Sequence, residues 1–135
     1  MNENKIEKGQ TVYVVPYSTL SNNYNREKPI EEQVIECEIT KVAKKYFYAE
    51  EKNKSKYQRE FCFEKEPDKQ YKGHKEKSGD YTPHYKAHKT FEEAVEPFLA
   101  NHLKYKIINA LQYKQFTYQQ LKEIEEILNL DKKKK

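Results

Sequence analysis

The stretch from Val34 to Ala49, V-I-E-C-E-I-T-K-V-A-K-K-Y-F-Y-A, constrains the fold more than any other part of the chain. Ile35, Cys37 and Ile39 alternate with Glu36, Glu38 and Thr40, the period of two that gives a strand one apolar and one polar face. Val42 falls out of phase, which predicts a bulge or bend near Thr40-Lys41. A short basic turn, Ala43-Lys44-Lys45, then separates this strand from a second one, Tyr46 to Ala49. The pair reads as the central hairpin of a small antiparallel barrel or curled sheet. Aromatic residues on both sides of Tyr46–Ala49 leave its inner face open.

Further strands are expected around the hairpin. Thr11 to Val15 follows Lys8-Gly9-Gln10, where glycine tolerates the entry turn, and Pro16 stops the ladder. Ser18 to Pro29 reads as a long polar loop. A fourth strand runs from about Lys56 to Phe63, with Tyr57, Arg59, Phe61 and Phe63 on one face. Residues 64–84, rich in charge, Gly and Pro, read as a loop, and Tyr85 to His88 as a short last strand.

From Thr90 the period becomes helical. T-F-E-E is a capping box, and Leu99, Leu103, Ile107 and Leu111 recur at four-residue spacing with Ile108 beside them. Pro97 lies too far inside for a first-turn proline and predicts a kink or restart. A second box, T-Y-Q-Q from Thr117, with Phe116 and Leu121 spaced as a hydrophobic staple, opens a last helix from Tyr118 to Leu128. The apolar stripe packs either on its own sheet or on another copy, so a homodimer stays open.

Composition limits the partners. The net charge is +4, but the tail Lys132–Lys135 supplies all of it. Residues 41–59 hold seven Lys/Arg against two Glu, so a basic patch belongs to the hairpin rather than to the whole surface. The N-terminus has no apolar run and no window is long enough to span a bilayer, so a cytoplasmic protein with no membrane partner is expected. Cys37 and Cys62, both on strands, are expected to be reduced core residues.

No residue pattern points to catalysis. His74, His84, His88 and His102 match no ligand spacing and read as solvated, so no metal and no cofactor is expected. Three glycines leave no phosphate cradle, G-x-S-x-G is absent, and Glu36 with Glu38 reads as a charged outer face. Two binding candidates remain, the long tyrosine-bearing loop from Glu64 to Pro83 and, ahead of it, the basic, tyrosine-bearing hairpin: Lys41, Lys44, Lys45, Tyr46, Tyr48, Lys52, Lys54, Lys56, Tyr57 and Arg59. Rings that stack on bases, beside lysines that track phosphates, are what small barrels use on single strands. The same lysines also suit edge protection.

The segments K-G-Q-T-V-Y-V-V, E-I-T-K-V-A-K-K-Y-F-Y-A and F-T-Y-Q-Q-L-K-E-I-E-E-I-L resemble a group of small, mostly uncharacterised phage and prophage proteins of low-GC Gram-positive bacteria. The chain departs from that group at Ala43, where Gly is expected, and at Pro97. The resemblance implies an accessory protein that binds something of the host, including its defence machinery, and it transfers no catalytic residue.

The expected fold is therefore α+β. An SH3-like or related five-stranded antiparallel barrel occupies residues 1–89, two or three helices over 90–131 pack on it, and 132–135 form a basic tail. Two functions fit, neither of them enzymatic. One is a factor that binds and modulates or inhibits a host protein or protein–nucleic-acid complex, counter-defence included. The other is a nucleic-acid- or nucleotide-binding barrel that uses the hairpin 41–59.

Overall fold

In the computed structural model, residues 5–52, 59–69, 72–79 and 81–128 are described. The alternation in Val34–Ala49 becomes the middle of a sheet. Its strands are β1 (Thr11–Pro16), β2 (Ile35–Val42), β3 (Tyr46–Glu51), β4 (Glu60–Glu64), β5 (His74–Lys75) and β6 (Tyr85–His88), in the order β4-β3-β2-β1-β6-β5. All pairings are antiparallel. A bridge between Phe63 and Glu76, with the Lys77 amide on the Cys62 carbonyl at 2.9 Å, brings the two ends together into a nearly closed barrel.

The predicted irregularity is present: the β2–β3 register shifts between Ile39 and Lys41. The extra residue keeps Val42 opposite inward Phe47 and turns Lys41 to face Tyr48 on the outer side. Cys37, Ile39, Phe47, Ala49, Phe61 and Phe63 fill the interior with Ile6, Val12, Val14 and Ala87. Phe47 and Phe63 lie 5.5 Å apart and are fully buried, each contributing ~2 kcal/mol through removal from water. The open question of β3 is thereby settled: Phe47 and Ala49 point in, Tyr46 and Tyr48 out.

A second cluster lies on the other side of β1, where Val15 packs with Ile30, Ala94, Val95 and Phe98. The Ser18–Pro29 loop joins it through Tyr24, whose ring sits 4.8 Å from Phe98. The Gln33 side chain holds that loop, donating to the Asn25 and Lys28 carbonyls at 2.8 and 3.0 Å.

Three expectations need correction. The sheet has six strands rather than five, because the stretch 64–84 contains β5 and is not a plain loop. Its charge and glycine content concealed a two-residue strand held by neighbours distant in sequence. Helix α1 (Phe91–Tyr113) runs through Pro97 as one element, so of the kink or restart expected there the restart does not occur. One proline removes one helical donor, and the buried side chains Ala94, Val95 and Phe98 hold the turns on either side. Finally, His74 and His88 are buried, each only 3% exposed, where solvated histidines were expected.

The chain divides into two compact units, residues 1–101 and 102–135. The second contains the rest of α1 and α2 (Tyr118–Leu128), which begins where the sequence places it. Its capping box is reciprocal: the Gln120 amide donates to Thr117 Oγ1 at 3.1 Å, and the Thr117 amide to Gln120 Oε1 at 2.9 Å. Leu103, Ile107 and Leu111 are 54, 49 and 37% exposed.

Candidate functional site

The outer face of β2–β4 is built by register. Lys41 stands opposite Tyr48, which stands opposite Cys62, while Tyr46 stands opposite Glu64. Lys41 Nζ lies 5.4 Å from the centre of the Tyr48 ring, and Lys77 Nζ lies 4.6 Å from that of Tyr46. Both are cation–π distances, so each ring carries an ammonium group on or beside its face. The Tyr48 phenol is raised above its usual range, first by its hydrogen bond with Cys62. Lys44 and Lys45 are exposed in the intervening turn, which the Ala43 amide closes on the Tyr46 carbonyl at 2.8 Å. Lys41, Lys44, Lys45, Tyr46 and Tyr48 thus form one surface at one end of the hairpin.

Two residues further along, the face changes sign. Glu38 stands opposite Glu50, and Glu50 opposite Glu60. Three carboxylates in file repel anions, which confines any anionic ligand to the turn end.

The structure does not bring all the predicted residues together. Lys52 and Arg59 sit at the far end of β3, about 17 Å away at the usual rise per residue. Lys52 Nζ donates to Thr11 Oγ1 at 2.6 Å and to Glu36 Oε2 at 3.2 Å. Arg59 pairs with Glu51 at 3.3 Å and reaches the Tyr85 hydroxyl at 3.4 Å. Burial pushes the Glu51 carboxyl up, but the hydrogen bonds and charge of Arg59 together outweigh it and hold the group below its ordinary range. These two cations border a polar cleft of about 610 Å³ shared with Gln33 and Tyr85. Lys54, Lys56 and Tyr57 lie outside the described residues.

Sequence reasoning missed a second site, on the covered face of β6. Lys86 and His88 are buried there, and Lys86 Nζ pairs with Asp68 at 3.3 Å. The His88 ring is held neutral, its pKa lowered to about 4 by burial first and then by the charge of Lys86 and by His74. Its Nδ1 is buried without a hydrogen-bond partner among the described residues, 3.9 Å from Glu93 Oε1. His74 donates from Nδ1 to the Glu64 carbonyl at 2.9 Å and packs edge-on against Phe47. The available signal was spacing. Lys86 and His88 share one face of β6, and a capped helix begins just after His88, close enough to fold back over that face.

Neither thiol stands ready as a nucleophile at this second site. Cys37 lies in the barrel interior, where burial and then the Glu51 charge push its thiol up to about 12. Cys62, expected in the core, is instead half-buried on the opposite face of the sheet, because its neighbours Phe61 and Phe63 take the inward positions of β4; both cysteines are free. Among the described residues, no group of three or more His, Cys, Asp or Glu is placed to hold a metal ion. No described helix is long and apolar enough to cross a membrane.

A nearly closed six-stranded antiparallel barrel with outward tyrosines, followed by two C-terminal helices, makes this an α+β protein. The chain belongs to the Phage ProQ C-terminal-like domain family, whose sequence model matches residues 1–134, and is a phage-type small protein. Neither a curated protein nor a solved structure matches it.

Proposed function

We propose that this protein is a non-enzymatic phage binding module that takes single-stranded nucleic acid, free or within a host protein–nucleic-acid complex, on the turn end of the β2–β3 hairpin. The observation that carries this reading is the outward placement of Tyr46 and Tyr48 in register with Lys41 and beneath Lys77. A stacked base on an exposed ring is worth ~1–3 kcal/mol and accepts any sequence, while lysines follow phosphates without reading bases. Four ammonium groups, Lys41, Lys44, Lys45 and Lys77, predict a log–log salt slope of about −3 for a single strand. The experiment is oligonucleotide binding at several salt concentrations. Lys44→Glu with Lys45→Glu is expected to abolish it, and salt-independent binding or none refutes the reading.

A second reading is favoured by the exposed apolar residues Leu103, Ile107 and Leu111 of α1. Here the module binds and inhibits a host protein, counter-defence included, in the cytoplasm of a Gram-positive host. A stable complex recovered from host lysate supports this reading, and its loss in Leu103→Lys identifies the surface. We also read the barrel as SH3-like, because the meander β2–β3–β4 is flanked by β1, to which the last strand, β6, returns.

A further inference from the structure

A cavity of about 400 Å³ lies in the first unit, between the end of β1, strand β6 and the first turns of α1. It is unrelated to the hairpin surface. Its walls are of two kinds. Val15, Tyr17, Pro97 and Phe98 are apolar or aromatic, while Glu93 and Glu96 bring carboxylates from successive turns of α1.

Three observations fix the polarity of a guest. First, the cavity's buried cation is already matched, since Lys86 is paired with Asp68 with both side chains nearly buried. Glu93 and Glu96 then face one further lysine, Lys72, which is exposed. Second, Pro97 has no N–H, so the donor that a helix would supply to the Glu93 carbonyl is missing at the cavity wall. Third, His88 is 3% exposed, lines the cavity, and holds its buried Nδ1 with no hydrogen-bond partner among the described residues. Buried polar atoms are normally satisfied, so an orphan of this kind marks a place for a missing partner.

We infer that this cavity binds an alkyl guanidinium or alkylammonium group, with the methylene stem along Val15 and Phe98 and the cationic head between His88 Nδ1 and Glu93. The 3.9 Å that separates Nδ1 from Glu93 Oε1 is too long for a direct hydrogen bond; Nδ1 is closed off from solvent, so the partly exposed Glu93 side chain swings aside to admit a nitrogen about 2.9 Å from both. The histidine then carries its proton on Nε2 and accepts through Nδ1. Glu96 supplies the remaining countercharge, and the freed Glu93 carbonyl supplies a further acceptor. The volume suits a long basic side chain or a small diamine.

Two sources present that chemistry, an arginine or lysine side chain of a partner chain and a free polyamine. They are separated by titrating the full-length protein with N-acetylarginine amide and with putrescine, followed by amide NMR, with inorganic phosphate as the opposite-charge probe. Saturable shifts confined to Val15–Thr19, Lys86–His88 and Glu93–Asn101 are expected from the cationic probes. The tighter of the two identifies the source. Glu93→Gln keeps the residue type that a capping box accepts and is expected to weaken binding about tenfold, with the remaining spectrum unchanged. Absence of saturable shifts from both cations overturns the assignment. So does preferential binding of phosphate, or an affinity that Glu93→Gln leaves unaltered. Oligonucleotide binding at the hairpin is read separately, so failure here does not touch it.

Discussion

Acidification tests the burial of His88 directly. Folded, its pKa stands at about 4 against an ordinary 6.5, because burial, Lys86 and His74 all oppose a second positive charge. Between those values the unfolded chain binds the proton and the folded one does not, so stability falls as pH drops through the window. The fully developed loss is ~3 kcal/mol, and between pH 7.5 and pH 5 it is ~2 kcal/mol. His74, also lowered and also chiefly by burial, adds a loss of the same sign. Glu93, 3.9 Å away and partly exposed, is the group able to oppose it. The assay is urea unfolding at the two pH values, where ~2 kcal/mol moves the midpoint by about 1 M. His88→Leu removes the titrating ring, and the pH-dependent loss is expected to shrink by ~2 kcal/mol. Equal losses in the two proteins would refute the reasoning and show that Glu93 swings in to carry the charge.

Two further outcomes follow from the same packing. Gly73→Ala is expected to destabilise by ~2–4 kcal/mol in denaturant unfolding. Its φ of +98° disfavours a side chain, and a Cβ there would lie 2.6 Å from His88 Cε1 and 3.0 Å from the Ala87 carbonyl oxygen. A cost below ~1 kcal/mol would mean the β5–β6 contact is looser than described. In native protein a thiol reagent should modify Cys62 and spare Cys37, whose thiol is pushed up to about 12 in the core, until the chain unfolds. Equal labelling rates in the folded state would contradict that burial.

Much of the scaffold was legible because local patterns and tertiary packing agree. The alternation of Ile35, Cys37 and Ile39, the phase break at Val42, the Thr90 cap on the Glu93 amide and the reciprocal capping box at Thr117 each have a local physical cause, and each appears where the residues place it. The sequence was silent where structure depends on distant neighbours. β5 is two residues long and exists through Ala87, Lys86 and the Phe63–Glu76 bridge. His74 and His88 look like surface residues until a helix start and a return strand cover them. For the hairpin, residue type found Lys41, Lys44, Lys45, Tyr46 and Tyr48 together. It also grouped with them Lys52 and Arg59, whose charges are taken up by Glu36 and Glu51 at the other end of β3. Proximity in sequence across a hairpin strand is not proximity in space.

The two-residue β5 gives the wall a mechanical weak point. It is a narrow stave wedged between β4 and β6, and the His74 ring pegs it against Phe47 at 5.2 Å. Pull that peg, and β4 and β6 become two bare margins with unpaired amides and carbonyls, the adhesive kind of edge that recruits a strand from outside. A barrel fastened this way comes undone along one line first, and what it exposes there is backbone able to zip onto another chain.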